Sequence, residues 1–597
     1  MNELWGEITK EELLYDSRIF DELFTKTGAE KVAFEVALIE KAREFKCVKE
    51  FRKLLGAFQN EYVHSLKSEG SGEIEFTNSP IFGLKCGEWV AKDEGVYRRV
   101  IKEDDVVKVY ACTHPIMPIL RLKNTETAME KVRLSFFKDG YWQELTVDKS
   151  TIATVNAITS LSNHGIEVNA NNAKELINYL SDVLSLNTID IQCKKSIDRM
   201  GWVDDGFAPY NGAVYDGAID YESYFKSIHQ KGDFETWKNL CIDLRKNVYN
   251  KIVLATSFAS ALIKPLGVLP FITHLWGTSG FGKTVALFLG ASVWGTPKMG
   301  AMVRTLNMTK VAFGRTLSFL HDIPFIGDEM QLIKSRWDTN YDSIIMLVTE
   351  GQDRGRGSIR GLEQIGTWNS CCLTSGEEPI TKEASGGGAK NRVIDLRIDE
   401  KIIENGRNVV GILQENYGFA GQMFLENIET DNYKNYFDEL IKNDTTEKQA
   451  MAMATIMLAD EIATKYIFED DNKLMSEDVK RFLTSSDEVD TSIRGWNWLI
   501  DFIGANQKRF SELDNHAEIW GKIEEEKGTC YINKTVLVEK MSEKGFEFEA
   551  LKKKWAERGQ LLKSSQGRYM HQTKVQGIKG NYVKLNIVGD VKDELPF

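Results

Sequence analysis

Residues 277–284 read Gly277-Thr278-Ser279-Gly280-Phe281-Gly282-Lys283-Thr284, directly after the apolar run Phe271-Ile272-Thr273-His274-Leu275-Trp276. The run predicts a buried strand, the glycines a tight loop, and Val285-Ala286-Leu287-Phe288-Leu289 the opening of a helix. Such a loop builds an anion site from backbone alone. Glycines let the chain curl until successive N–H groups face one concavity, and the helix N-terminus adds partial positive charge. Lys283 is then placed to reach the β- and γ-phosphates of a nucleoside triphosphate, and the Thr284 hydroxyl to hold Mg2+. The whole run 277–284 is the expected ATP-binding segment.

About 45 residues beyond the loop, Ile323-Pro324-Phe325-Ile326-Gly327-Asp328-Glu329 reads as a short apolar strand ending in two acids. A hydrolytic ATPase needs that pair: Asp328 for the metal and its water shell, Glu329 to polarise the attacking water. A second strand, Trp368-Asn369-Ser370-Cys371-Cys372-Leu373-Thr374-Ser375-Gly376-Glu377, ends in polar groups. In additional-strand ATPases a side chain here senses the γ-phosphate; Thr374 is the first choice and Ser375 the reserve. The run Gly386-Gly387-Gly388-Ala389-Lys390-Asn391-Arg392 presents basic residues just before a further strand. Arg392 there suits a role in a neighbouring subunit's nucleotide site, because a guanidinium fork matches phosphate oxygens. Between the two polar-ended strands, Gly351-Gln352-Asp353-Arg354-Gly355-Arg356-Gly357-Ser358-Ile359-Arg360-Gly361 reads as an exposed hairpin. Its arginines, Arg354, Arg356 and Arg360, offer positive charge with little bulk for a nucleic-acid backbone; a charged surface loop is the alternative.

The 597 residues exceed what one core can organise. The expected fold is multidomain α+β. A helical domain spans 1–72, a β-rich domain 73–230, an α/β P-loop core 231–400, a helical lid 401–515 and a winged helix 516–597. Strands are expected at 95–100, 106–110 and 132–137. In the last domain two helices (533–543 and 547–558) should precede strands at 568–571 and 582–587. Across 551–584 the only acid is Glu557, against Lys552, Lys553, Lys554, Arg568 and further lysines. That local charge predicts DNA contact, with protein packing as the alternative use of such a domain. The net charge of −13 confines any such contact to local patches. No stretch of 18 apolar residues occurs, so no membrane span is expected. Eight cysteines without a Cys-x-x-Cys pair suggest neither zinc nor a disulfide framework, and fit a reducing cytoplasm.

These motifs carry a resemblance. Trp276 to Thr284 with Ser292-Val293-Trp294-Gly295, then Gly327-Asp328-Glu329, Leu373 to Glu377 and Gly388 to Arg392, resemble the ATPase domain of the MCM-like AAA+ replicative helicases of staphylococcal cassette chromosomes and related mobile islands. Gly95-Val96-Tyr97 and Gly201-Trp202 fit the β-rich half of the same family. The resemblance spans about 75–590 and is most specific over 270–395. It implies a homo-hexameric ring that hydrolyses ATP with Mg2+ and translocates on single-stranded or forked DNA during replication of a mobile element. Lys283, Thr284, Asp328 and Glu329 would act within one subunit and Arg392 across the interface. Arg354, Arg356 and Arg360 would fall on a hairpin in the central channel. The second arginine sensor of the class has no evident counterpart; Lys448, in the 401–515 helices, is the candidate position. Residues 1–70 lie outside the resemblance and suit either an element-encoded primase or polymerase as partner, or a packing collar. The rival reading is an ATP-switched DNA-binding initiator without processive unwinding.

Overall fold

Residues 8–26, 28–68, 72–102, 105–333, 341–355, 357–358, 361–362, 365–381, 385–510, 518–575 and 577–587 are described by a computed structural model. The chain forms two units, the first Met1–Asp198 with Ala213–Asp216, the second Arg199–Gly212 with Gly217–Phe597.

The first unit opens with four helices, Lys10–Tyr15, Ser17–Thr25, Gly28–Glu44 and Val48–Ser68. Thr9 and Glu12 form a capping box on the first. Leu13, Phe20, Leu38 and Phe51 are buried between them, and Phe20 stacks on Phe58 with centroids 4.2 Å apart. Two sheets follow. Val90–Lys92, Gly95–Lys102 and Asp105–Cys112 form an antiparallel meander. The second sheet has the order Val214–Tyr215, Cys193–Ile197, Ile116–Asn124, Glu130–Lys138, Tyr141–Asp148. The helix Ala173–Leu186 buries Leu176, Tyr179, Leu180 and Val183, and the Tyr179 hydroxyl donates to the Ile116 carbonyl at 2.8 Å. The strands expected at 95–100, 106–110 and 132–137 are present. Those at Ile116–Asn124 and Tyr141–Asp148 carry charged residues among the apolar ones and lacked a clean alternation.

In the second unit five parallel strands form one sheet: β1 (Ile272–Gly277), β2 (Val303–Thr305), β3 (Phe325–Asp328), β4 (Cys372–Gly376) and β5 (Val393–Ile398), in the order β2-β3-β4-β1-β5. β1 lies inside the sheet between β4 and β5, and Ile272, Thr273, His274 and Leu275 are fully buried, as a strand covered on both faces must be. Gly201–Val203 and Gly206–Ala208 form a hairpin packed into this unit. Trp202 donates to the Ala261 carbonyl at 2.9 Å, Phe207 stacks on Trp294, and the Trp202 N–H reaches Asp322 at 2.8 Å. Gly201 has φ +89°, and a Cβ there would lie 2.2 Å from Asp322 Oδ2, so only glycine fits. Arg245, fully buried, ties Phe234–Leu244 to the long helix Glu447–Ala463 and beyond through Asp460 (3.2 Å) and Asp470 (3.0 Å).

The chain ends in a small α+β domain. Helix Thr491–Ala505 packs on strands Gly521–Glu524 and Thr529–Asn533, helices Lys534–Glu543 and Phe548–Glu557, and the antiparallel pair His571–Val575 and Ile578–Asn586. Trp555 is its buried centre and donates to the Ser492 carbonyl at 2.7 Å. The strand expected over 568–571 starts only at His571. Gly567, at φ +72°, turns the chain back so that Arg568 N–H meets the Ser564 side chain at 3.2 Å.

Candidate functional site

The loop after β1 is shaped by its glycines. Gly277, Gly280 and Gly282 have φ of +140°, +91° and +97°. A Cβ on Gly277 would lie 2.4 Å from the Ile398 carbonyl oxygen, so the loop can leave the sheet here only without a side chain. Gly282 caps the helix Lys283–Ala291, whose first N–H groups therefore face the loop. The Lys283 ammonium donates to the Gly277 and Thr278 carbonyls at 2.7 and 2.8 Å. Partial burial lowers its pKa, while Glu377 and Asp328 act in the opposite direction. Thr278, Ser279 and Gly280 are exposed at the loop's crest, and Phe281 is half-buried, its carbonyl accepting from Ile402 N–H at 3.0 Å.

Parallel register brings the ends of β3 and β4 to the same edge of the sheet as this loop. Asp328 is the meeting point. Its Oδ2 accepts from the Thr284 hydroxyl at 2.9 Å, and its Oδ1 from the Ser375 hydroxyl and the Glu329 N–H, the latter at 3.1 Å. Glu329 is exposed and sits in left-handed backbone, φ +63°. A non-glycine residue there costs about 1–3 kcal/mol, and such strain gathers where side-chain aim matters. The Met330 N–H bonds the Ser375 carbonyl at 2.8 Å and holds this turn against β4.

Ser375, and not Thr374, therefore faces Asp328. Thr374 is buried on the opposite side of β4, where its hydroxyl meets His274 Nδ1 at 2.9 Å. His274 Nε2 lies 3.1 Å from the Glu378 carbonyl, which can only accept, so Nε2 carries the proton and Nδ1 accepts from Thr374. Burial pushes the His274 pKa down to about 4, so it is neutral. Asp395, in register with His274 on β5, is half-buried with its carboxylate turned inward; Thr381 donates to it from backbone and hydroxyl. Its Oδ1 has no partner, and burial raises its pKa to about 6. Sequence reading missed this pair because its members are far apart along the chain.

Arg392 precedes β5, half-buried, with Nη1 on Met346 Sδ at 2.7 Å and Thr349 Oγ1 at 3.2 Å. Its Nε has no partner, and no carboxylate pairs with it among the described residues. Arg354 is exposed, on the approach to a short antiparallel pair, Gly357–Ser358 with Gly361–Leu362. Arg356 and Arg360 lie outside the described residues. In the C-terminal domain Lys552 pairs with Glu549, Lys553 with Glu557 at 3.9 Å and Lys554 with Asp490 at 3.6 Å, while Arg568 is exposed.

The class that the fold defines is a multidomain α/β protein with a glycine-rich loop at one edge of its parallel sheet and a C-terminal α+β domain. Comparison with known proteins adds the following. Residues 89–368 match a domain of unknown function, DUF927, and residues 490–590 match the Cch helix turn helix domain. A solved structure described as SCCmec type IV Cch, an active helicase, shares the fold at TM-score 0.62 and 19% identity, over 86% of this chain and 98% of that one. The resemblance to the cassette-chromosome helicases thus stands in both fold and C-terminal domain. Two structures of the NrS-1 C-terminal region match at 10% and 11% identity over 79% and 78% of this chain and 96% of theirs. Their TM-scores of 0.29 and 0.31 are too low to define a common fold. No curated protein matches in sequence. Among the described residues no helix is long and apolar enough to cross a membrane.

Proposed function

We propose that this chain is an ATP-dependent DNA helicase serving replication of a mobile element. The observation that carries this reading is Asp328 shared between the hydroxyl of the phosphate-loop Thr284 and that of Ser375, beside Lys283 and Glu329. The sheet order supports an AAA+ core, in which the ATPase strand is flanked on both sides. The likeness to a structure described as an active helicase supports DNA as the substrate on which ATP energy is used. The two helices followed by a β hairpin support a winged helix at the C-terminus. The five-part division expected from sequence is retained as a proposal, with the hairpin 201–208 moved from the β-rich domain to the ATPase side and helix Thr491–Ala505 from the lid to the C-terminal domain.

ATP would lie on residues 277–284, its phosphates on the loop N–H groups and Lys283. The Thr284 and Asp328 oxygens are hard donors, few in number, and suit Mg2+, which retains waters and takes one or two protein ligands. Mg2+, when bound, would neutralise charge on the phosphates. Glu329 is placed to polarise a water, held in position by its constrained backbone. Ser375 fixes the Asp328 carboxylate and takes over the sensing role first assigned to Thr374. Arg392, a half-buried cation with no acid partner among the described residues, suits an anion supplied by a neighbouring copy in a homo-hexamer. Arg354, with Arg356 and Arg360, would grip single-stranded DNA in the ring's channel.

Strand displacement on forks with 3′ or 5′ tails tests the proposal. Separation that requires ATP and is lost in Lys283→Ala is expected. ATP-dependent DNA binding with no separation on either fork would favour the initiator instead.

A further inference from the structure

We propose that the C-terminal domain grips the backbone of duplex DNA with one face of its β hairpin, His571–Val575 with Ile578–Asn586, and not with the helix Phe548–Glu557. The inference rests on reading the chain as a DNA-acting protein, but not on its ATPase site.

On the helix most of the positive charge is drawn into ion pairs, four cations sharing three carboxylates. Lys552, Lys553 and Lys554 are engaged by Glu549, Glu557 and Asp490, and Arg558 also reaches Asp490, at 2.9 Å. The hairpin side is different. No Asp or Glu occurs between Glu557 and Asp590, while Lys563, Arg568, Lys574, Lys579 and Lys584 all do. None of these five forms an ion pair among the described residues. Lys563 and Lys584 are spread over the rings of Tyr569 and Tyr531, at 5.2 and 5.0 Å.

Register then concentrates the charge. Lys574 stands directly opposite Lys579, and Gln572 opposite Asn581. Alternate residues of a strand share a face, so these four side chains lie together, and all four are exposed. Like charges directly opposite each other weaken a strand pair unless an anion lies between them. Two ammonium groups flanked by two carboxamides are the donors that bind phosphate oxygens. The face carries no aromatic ring. Binders of single strands stack bases on rings, so this face fits the backbone of a duplex, and a two-stranded ribbon is narrow enough for the major groove.

The test uses the full chain without nucleotide and a blunt DNA duplex, with affinity measured by anisotropy from about 50 to 200 mM salt. Each lost phosphate contact should lower the log–log salt slope by about 0.9. Lys574→Gln/Lys579→Gln should therefore flatten the slope by about 1.8. Its deficit against the unaltered chain should shrink about tenfold across that salt range. Lys552→Gln/Lys553→Gln should leave the slope unchanged. The proposal is overturned if the helix pair carries the loss, if neither pair alters the slope, or if the hairpin pair affects a single strand of equal length but not the duplex. ATP turnover without DNA, measured on the same preparations, separates the two readings. Hairpin-dependent duplex binding by a chain without turnover would remove the ATPase reading only. Turnover with hairpin-independent binding would remove this one only.

Discussion

Replacing Ser375 by Ala takes one hydroxyl from Asp328 and leaves the Thr284 hydroxyl and the Glu329 N–H in place. A hydrogen bond to a charged acceptor contributes about 1.5–3 kcal/mol. Asp328 is only half-buried, so water can replace the lost donor, and the lower end, about 1.5 kcal/mol, applies. If that loss falls on the transition state, ATP turnover drops about tenfold. Thr374→Ala should behave differently. It strips a donor from the buried, neutral His274, which costs about 1–3 kcal/mol of stability and little turnover. Phosphate release at saturating ATP, with thermal melting of each variant, gives the comparison; Thr374→Ser should recover the melting point. A folded Thr374→Ala that loses as much turnover as Ser375→Ala would refute the assignment of Ser375 and restore Thr374 as the sensing residue.

Asp395 has a folded pKa near 6 against 3.8 unfolded, because its carboxylate is buried. The folded state thus binds the extra proton, and stability should fall by about 3 kcal/mol as pH rises from about 4 to 6. Asp395→Asn should remove that slope in urea melts; an unchanged slope would place its origin in another group. Gly201→Ala should cost more than about 2 kcal/mol, since its Cβ would meet Asp322 from left-handed backbone, and a normal melting point would contradict the packing of that hairpin. Arg392→Ala subunits mixed with unaltered ones should lower turnover faster than dilution alone, whereas a proportional decline would show that Arg392 acts within its own subunit. Replacing Arg354, Arg356 and Arg360 together should abolish stimulation of turnover by single-stranded DNA; full stimulation would place the DNA on other residues.

The strand–glycine-loop–helix unit at 272–291 and the strand end at Asp328-Glu329 were legible because backbone geometry forces a local pattern: glycines where φ must be positive, an apolar run where a strand is covered on both faces. The choice between Thr374 and Ser375 was not. Adjacent residues on a strand face opposite ways, and which one meets Asp328 depends on how β4 lies against β3. The same limit hid the ion pairs on the helix Phe548–Glu557 of the C-terminal domain. Lys554 looks free in a basic run, yet its acid partner, Asp490, lies on the far side of two strands and two α-helices in sequence. Gly521–Glu524 and Thr529–Asn533 were missed because they are short and mix lysine, glutamate and threonine with few apolar residues.

The central claim is that ATP is cleaved at a seam between two copies of the chain and that the seam's movement drives DNA. Sedimentation of the full chain with ATP and a forked DNA, combined with turnover per chain across the same concentrations, tests it most directly. Turnover per chain should rise as the hexamer assembles and be low in the dilute monomer. Brisk, concentration-independent turnover from a chain that stays monomeric with both ligands would contradict it.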